Sequence, residues 1–284
     1  MTSDAESAYS VAVNTAYGLD VALDLKGALP HLQFAAEQGH RIAQTELAAL
    51  VGNWRMVGDI SNGKALPRDT WERLRAAVDL RAWLTLPAGR ALSNQPRIAM
   101  IKRFISAAAC DWLVSRGTPH LQRAQTYDPA SGATVVDTAR TNSSAEFVPG
   151  RIDTLVGFVR ARIAAFTGMS PSALETSQVL HYAVGEIFAP HYDFLDPKHA
   201  GNARQVAEHG QRVLTVLIYL NDNYEDGETY FPKLDQGFRG RKGDALVFWN
   251  VTPDGAPDPL TLHMGSAPSR GEKWLFSQWI RRRS

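Results

Sequence analysis

The sequence predicts a mainly β domain of the sandwich or jelly-roll type, with flanking helices, preceded by an α-helical N-terminal region. From about Gln178 onward, short runs dense in Val, Ile, Tyr, Phe and Trp alternate with turn residues. Such runs are typical of sandwiches and jelly rolls rather than of alternating βαβ units. In the first hundred residues, apolar residues instead recur at three- and four-residue steps, which indicates helices. The 284 residues, 44% of them hydrophobic and 21% charged, suffice for a buried core.

The N-terminal region is predicted to contain a helix pair between residues 29 and 50. Leu and Ala recur there on one face, and Gly39 and Gly52 stand where the two helices would end. The stretch 28–48 resembles one Sel1-like repeat of the tetratricopeptide type. A single copy is present, whereas repeat arrays usually need about three. We expect this pair either to pack on the main domain or to offer a surface to a protein partner.

A further helix is predicted from about Pro67 to Leu84. The segment 86–96 is rich in Pro, Gly and polar residues, and we expect it to be a linker. The sequence therefore predicts two parts, a helical N-terminal region over residues 1–95 and a β-rich domain over residues 96–284.

The β-rich domain is predicted to begin with a strand over 98–105 and a short helix capped by Ser106, and to continue with a helix over 151–166. The polar stretch 196–210 is expected to be either a mobile lid or an ordinary exposed loop. Six short strands are predicted to complete the domain: 178–184, 212–220, 228–231, 245–249, 261–264 and 274–280.

Composition excludes several classes of protein. Thirty Lys and Arg against 29 Asp and Glu leave a formal charge of +1, which argues against a nucleic-acid partner. Cys110 is the single cysteine, so neither a disulfide framework nor a cysteine zinc site is expected. Apolar stretches fall far short of the roughly 20 residues that span a bilayer, and the start lacks the layout of a secretory signal. We expect a cytoplasmic protein without a membrane partner.

The chemistry is predicted to centre on the sequence His191-Tyr192-Asp193. In a strand, residues i and i+2 project from the same face, so this imidazole and this carboxylate can converge. His263 heads a later β-like run, and two histidines with one carboxylate form the facial triad of non-haem Fe(II) oxygenases. Lys273 opens the last strand and is a candidate cation for the remote carboxylate of a 2-oxo acid, since a buried charge is costly unless paired.

The surrounding motifs carry a resemblance. About two-thirds of the chain, with the clearest motifs between residues 178 and 280, resembles the catalytic domain of the prolyl 4-hydroxylase family of Fe(II)/2-oxoglutarate dioxygenases. Spacing, order and turn residues agree over the segments Gln178–Glu186, Pro190–Phe194, Gln211–Asp222, Asp226–Pro232, Lys242–Asn250, Leu262–His263, Gly271–Trp274 and Gln278–Ile280.

The resemblance implies a double-stranded β-helix, Fe(II) as the metal, 2-oxoglutarate and O2 as co-substrates, and ascorbate as reductant. It implies that the catalytic metal ligands are His191, Asp193 and His263. It implies that the C5 carboxylate of 2-oxoglutarate contacts Lys273, Tyr182 and Thr229. It places on the substrate side Arg140, Glu175, Arg212 and Trp279.

The resemblance further implies hydroxylation of a prolyl residue in a protein or peptide, with release of succinate and CO2. The carboxylate of Asp193 favours hydroxylation, because related halogenases have Gly or Ala at that position. Asn142 and Phe188 depart from the Ser and Tyr that are usual in the family, and they keep open a free amino acid or other small molecule as substrate. A second alternative is a catalytically vestigial adaptor that recruits a partner through the helical N-terminus.

Overall fold

The computed structural model describes residues 4–85, 88–127 and 134–283. These residues form two compact units, which interleave along the chain. The helical unit comprises the described residues within 1–86, 105–112 and 148–171, and the sheet unit comprises those within 87–104, 113–147 and 172–284. No helix in the described ranges is both long enough and apolar enough to cross a membrane. The division into domains at residue 95 stays a prediction.

Six helices in the first 85 residues confirm the predicted helical N-terminal region. They are α1 (Asp4–Tyr17), α2 (Leu25–Glu37), α3 (Arg41–Leu50), α4 (Trp54–Ser61), α5 (Asp69–Ala77) and α6 (Leu80–Leu84). The predicted pair corresponds to α2 and α3, which are separated by Gly39 at a φ of +88°. The likeness of this pair to a Sel1 repeat stays a prediction.

The single helix expected from Pro67 to Leu84 is in fact two helices. Val78 is extended, with φ −69° and ψ 107°, and this ends α5. The side chain of Asp79 then accepts a hydrogen bond from the backbone N–H of Ala82 at 2.9 Å, which caps α6. An aspartate at an N-cap satisfies a backbone donor that a continuous helix would have bonded itself, so this sequence favours a restart.

Among the later residues that the structure describes lie three further α-helices: α7 (Ala107–Gly117), α8 (Thr154–Thr167) and α9 (Ala200–His209). Ser106 caps α7, as predicted, by accepting from the N–H of Ala109 at 3.1 Å. Asp153 caps α8 in the same way, through the N–H of Val156 at 2.8 Å, so that helix begins later than expected. Residues 200–209 of the polar stretch at 196–210 form α9 and not a loop, and a lid function for this stretch stays a prediction.

Sixteen strands lie among the described residues. They are β1 (Arg90–Asn94), β2 (Arg97–Ile101), β3 (Gln122–Arg123), β4 (Thr126–Tyr127), β5 (Thr134–Val135), β6 (Ser143–Glu146), β7 (Gln178–Tyr182), β8 (Phe188–His191), β9 (Gln211–Tyr219), β10 (Glu225–Asp226), β11 (Thr229–Phe231), β12 (Gln236–Phe238), β13 (Ala245–Trp249), β14 (His263–Gly265), β15 (Pro268–Arg270) and β16 (Lys273–Arg282).

The strands build the predicted jelly-roll-like architecture of two main antiparallel sheets. The major sheet has the order β1-β2-β13-β9-β16-β7-β6-β3, and the minor sheet has the order β12-β11-β14-β8. Apolar side chains from both sheets share one buried cluster, in which Phe231 of the minor sheet meets Phe248 of the major sheet edge to face, with ring centroids 5.4 Å apart. This shared core brings the two histidine-bearing strands of the minor sheet close to the central strands of the major sheet.

The predicted linker is a strand where it is described. Leu86 and Pro87 lie outside the described residues, but β1 pairs antiparallel with β2, with Arg90 opposite Met100 and Asn94 opposite Arg97. The predicted strand 98–105 ends early at Ile101, because Arg103 adopts a left-handed φ of +52° and its backbone N–H donates to Asp244 at 2.9 Å.

Gly210 lies very close to β16, and this leads to a prediction about the stability of the protein. Gly210 has a φ of +85°, and a Cβ built on it would lie 2.5 Å from the carbonyl oxygen of Arg282. We expect Gly210→Ala to lower the free energy of unfolding by about 2–4 kcal/mol, from backbone strain and from the clash together.

Gly185→Ala is the matched control for this substitution. Gly185 has a similar φ of +82°, but nothing lies within 4 Å of the point that a Cβ would occupy there. It should therefore lose only the strain contribution of about 1–2 kcal/mol. Urea denaturation followed by circular dichroism measures both losses, and equal losses would show that the contact with Arg282 is unimportant.

Candidate functional site

His191 and His263 stand directly opposite each other in the antiparallel register of β8 and β14. Opposed residues of such a pair project from the same face, so the two rings come together, with centroids 4.3 Å apart. The Nδ1 of His191 lies 2.8 Å from the carbonyl oxygen of Ala189, and the Nδ1 of His263 lies 2.9 Å from that of Thr261. Since a carbonyl can only accept, both Nδ1 atoms carry the proton and both Nε2 lone pairs are left for a ligand.

Asp193 completes the group from the turn after β8. Its Oδ1 lies 3.7 Å from Nε2 of His191, and its Oδ2 lies 3.6 Å from Nε2 of His263. Burial alone would raise the pKa of Asp193, but the two imidazoles and the Thr215 hydroxyl outweigh burial and hold that pKa below its usual value. Burial, with the second imidazole, lowers the pKa of His191 to about 3, so its ring stays neutral at pH 7.

These three side chains fit a ferrous ion. Their ligand atoms all lie within 4.8 Å of one another, and two imidazole nitrogens with one carboxylate oxygen are the donor set of non-haem Fe(II) oxygenases. The structure thus brings together the three predicted ligands, and their role as ligands stays a prediction.

Lys273 lies in the same cavity, at the start of β16, and its side chain is fully buried. Among the residues that the structure describes, nothing accepts a hydrogen bond from its Nζ. A buried ammonium without a partner is costly, so the cavity is built for an anion. Burial lowers the pKa of Lys273 to about 7; Glu228 opposes this shift and Arg239 adds to it.

Tyr182 and Thr229 line this cavity together with Lys273, and their contact with the C5 carboxylate of 2-oxoglutarate stays a prediction. Tyr182 is opposite Lys273 in the β7–β16 register, and the ammonium is 4.8 Å from the centroid of its ring. Burial raises the pKa of Tyr182 to about 12, so its hydroxyl stays protonated and can donate. Thr229 is buried on β11, and its side chain hydrogen-bonds with Tyr219. The arrangement offers the Tyr182 hydroxyl and the Lys273 cation to a carboxylate, while the Thr229 hydroxyl is engaged with Tyr219.

Arg140 and Trp279, two of the four predicted substrate-side residues, line the same cavity as the metal-ligand group and Lys273. Arg140 donates from Nε to Oδ1 of Asn142 at 3.2 Å, and its guanidinium lies 4.5 Å from the ring centroid of Phe188. Phe188 in turn stacks on His191, with centroids 3.5 Å apart. The two departures from the family pattern, Asn142 and Phe188, therefore both contact Arg140.

Arg212 and Glu175 form an ion pair next to Trp279. Arg212 donates from Nε and Nη2 to the two carboxylate oxygens of Glu175, at 2.6 and 2.9 Å. Arg281 donates to the same carboxylate at 2.7 Å, and the guanidinium of Arg212 lies 3.7 Å from the ring centroid of Trp279. Burial raises the pKa of Glu175, but the two arginines outweigh it and lower that pKa overall. Glu175 therefore holds Arg212 in place, and it faces a separate open cleft, of about 700 Å³, instead of the cavity.

Sequence reasoning missed three buried polar residues at this site. Thr215 donates to Asp193, Asn250 donates to Thr215, and Tyr219 hydrogen-bonds with Thr229. One signal was available for Thr215, because it is a polar residue inside the otherwise apolar run from Val213 to Leu220.

Comparison with known proteins gives concordant results. Residues 177–281 match the family model of the 2OG-Fe(II) oxygenase superfamily. The chain is 34% identical over 210 residues to probable prolyl 4-hydroxylase 10 of Arabidopsis thaliana. This alignment covers 67% of this chain and 70% of that protein. It is 32% identical over 244 residues to probable prolyl 4-hydroxylase 3 of the same plant, and this alignment covers 78% of this chain and 83% of that protein.

Among solved structures, a prolyl hydroxylase from Trichoplax adhaerens, in complex with a hypoxia inducible factor oxygen degradation domain peptide fragment, aligns with a TM-score of 0.50. The alignment covers 66% of this chain and 84% of that one, at 14% identity. This likeness supports the fold alone.

Proposed function

Because the chain belongs to the prolyl 4-hydroxylase family of 2OG-Fe(II) oxygenases, we propose that it hydroxylates a prolyl residue in a protein or peptide. 2-Oxoglutarate and O2 are consumed, and succinate and CO2 are released. The observation that carries the proposal is the coexistence, in one buried cavity, of the His191, Asp193 and His263 group with the unpaired ammonium of Lys273.

Different residues of the cavity would bind the metal and 2-oxoglutarate. His191, Asp193 and His263 would hold Fe(II), which, when bound, supplies the activation of O2 and the oxidising power for the reaction. Lys273 would pair with the distal carboxylate of 2-oxoglutarate, with Tyr182 and Thr229 as hydroxyl partners. Phe188, stacked on His191, keeps water from one side of the metal-ligand group.

A peptide would be oriented by the polar groups on the other side of the cavity. The Nε1 of Trp279 is buried, and within the described ranges it has no acceptor. Such a donor suits a peptide carbonyl, because a buried N–H left unbonded costs about 1–3 kcal/mol. Arg212 stacks on the Trp279 ring and would fix its orientation.

The proposal is tested by offering the purified chain Fe(II), 2-oxoglutarate and ascorbate together with proline-containing peptides or with free amino acids. Mass spectrometry detects a 16 Da gain on proline, and succinate is quantified in parallel. Hydroxyproline in a peptide supports the proposal. A product with free amino acids alone would establish the small-molecule alternative, and no succinate under any condition would leave the vestigial adaptor. A need for ascorbate, a cytoplasmic location and a partner for the N-terminal helices stay predictions.

Arg212 provides a prediction that separates substrate binding from chemistry. We expect Arg212→Met to raise the KM for a peptide by roughly 10-fold, since it removes the cation that lies on the Trp279 ring and fixes the orientation of that ring. Succinate formation without peptide should change little, because Arg212 does not line the cavity with Lys273.

Arg270→Met is the matched control for Arg212→Met. Arg270 also pairs with a glutamate, Glu225, but its side chain is 80% exposed, so its loss should leave the KM unchanged. Steady-state kinetics with varied peptide measures both variants. An unaltered KM in Arg212→Met would remove Arg212 from the substrate side.

A further inference from the structure

Two buried side chains, linked in series by hydrogen bonds, support the carboxylate of Asp193. Oδ2 of Asp193 lies 2.7 Å from Oγ1 of Thr215, and this oxygen lies 3.0 Å from Nδ2 of Asn250. The exposed fractions of Thr215 and Asn250 are both 0%, and that of Asp193 is 3%. Thr215 and Asn250 bear no ligand atom of the metal-ligand group, so they act only through Asp193.

The donors and acceptors in this series of hydrogen bonds can be assigned in only one direction. An ionised carboxylate can only accept, so the single hydroxyl proton of Thr215 must point to Asp193. The oxygen of Thr215 is then free to accept, and the amide nitrogen of Asn250 donates to it. The reverse orientation of the amide would place its oxygen against an oxygen with no proton left to give. Asp193 therefore sets the direction of the hydroxyl proton, and Asn250 holds the Thr215 oxygen by donating to it.

Both residues are anchored in the major sheet. Thr215 lies in the middle of β9, opposite Phe248 of β13 and Trp279 of β16. Asn250 follows β13 directly; its backbone N–H donates to the carbonyl of Val213 at 3.0 Å, and its carbonyl accepts from the N–H of Asp258 at 3.0 Å. The backbone hydrogen bonds fix the positions of both residues, and complete burial restricts the rotation of both side chains, so the orientation that they impose on the carboxylate is set by the fold.

We propose that Thr215 and Asn250 are positioning residues for the metal centre: they fix the rotation of the Asp193 carboxylate before the metal binds, and thereby set the affinity for a divalent ion. The inference rests on the metal centre of the proposed function. Residues that orient metal ligands by hydrogen bonds typically contribute 10- to 100-fold in metal affinity. We expect Thr215→Val, which keeps the shape and loses the hydroxyl, to weaken metal binding by about that factor.

The test is titration of the metal-free full chain with Co(II), followed by the visible absorption bands of the bound ion. Thr215→Ser restores the hydroxyl and should bind Co(II) within about threefold of the wild type. Asn250→Ala leaves the hydroxyl but removes the donor that holds its oxygen, and should weaken binding by at least about threefold. Both weakened variants should also shift the absorption bands, which a merely structural role would not do.

Thr45→Val is the matched control. It also removes one buried threonine hydroxyl, which donates to the carbonyl of Arg41 at 2.9 Å within α3, and it should leave Co(II) affinity unchanged. Wild-type affinity in Thr215→Val, or an equal loss in Thr45→Val, would overturn the inference. If circular dichroism shows that Thr215→Val is unfolded, Asn250→Ala decides, and unaltered binding in that variant overturns the inference.

The same titration separates this inference from the proposed function. A wild-type chain that binds no Co(II), or binds it no better than His191→Ala does, would overturn both the metal centre and the inference. A wild-type chain that binds Co(II) through His191, with Thr215→Val indistinguishable from it, would overturn only the inference.

Discussion

Replacing His191 with alanine is expected to lower succinate formation from 2-oxoglutarate by at least about a thousandfold. The substitution removes one of three ligand atoms that lie within 4.8 Å of one another, and the remaining two would not retain the ion. A bound metal contributes several kcal/mol of catalysis, and about 4 kcal/mol corresponds to three powers of ten in rate. The hydrogen bond that orients the ring, from its Nδ1 to Ala189, is lost with it.

His181→Ala is the matched control for this variant. His181 also lies on a strand of the sheet unit and is largely buried, but its ring packs against Trp274, and its Nε2 lies 3.2 Å from Glu272. We expect this variant to keep its iron and its activity. Iron content after desalting and succinate by mass spectrometry measure both variants. Retained iron and turnover in His191→Ala would remove this residue from the metal centre.

The ligand group could be predicted from sequence because part of its geometry is local. The two-residue spacing of His191 and Asp193 predicts that their side chains converge, and they do, although β8 ends at His191 and Asp193 lies in the turn that follows it. The type of each residue limits the chemistry. The position of His263 opposite His191 depends on the register between β8 and β14, which no local pattern encodes. It was reached through the resemblance to a family, and the structure confirms that the three residues converge.

Features that depend on distant pairing were missed or assigned wrongly. The segment around Arg90–Asn94 has the composition of a linker, yet it is a strand because β2 offers it hydrogen bonds. The Glu175 carboxylate binds Arg212 and Arg281, which lie 37 and 106 residues away in sequence. Its role in holding Arg212 therefore could not be separated from a direct role in substrate binding. The polar stretch containing α9 has few apolar residues, and in the helix only Gly201 and Asn202 are buried, so its composition indicated an exposed loop.

Replacing Lys273 with methionine is expected to weaken 2-oxoglutarate binding by about a hundredfold or more. The ammonium is fully buried, and breaking a buried charge pair typically costs 3–5 kcal/mol. Methionine has a similar length and no charge, so the fold should tolerate it. Lys233→Met, at a position outside the cavity in the same unit, is the control and should bind 2-oxoglutarate normally.

The pKa of Lys273 makes the stability of the ligand-free protein depend on pH in a defined direction. Burial lowers this pKa from 10.5 to about 7, with Glu228 opposing the shift and Arg239 adding to it. Between these two values the unfolded chain binds more protons than the folded chain. The free energy of unfolding should therefore rise with pH from about 7 to 10.5. Below pH 7 the destabilisation of the folded protein by the buried ammonium should be fully present. Lys273→Met should lack this rise and should be more stable than the wild type at pH 7.

Binding of 2-oxoglutarate should show the opposite dependence on pH. Its distal carboxylate favours the ammonium form, so above pH 7 binding must take up a proton, and the affinity should fall by up to about tenfold per pH unit. The pKa values of His191, at about 3, and Tyr182, at about 12, lie outside the window from pH 7 to 9, so neither group changes its charge there. Calorimetry in two buffers of different ionisation enthalpy measures the proton uptake directly. Equal affinity at pH 7 and 9 in the wild type, or unaltered affinity in Lys273→Met, would show that another group receives the carboxylate.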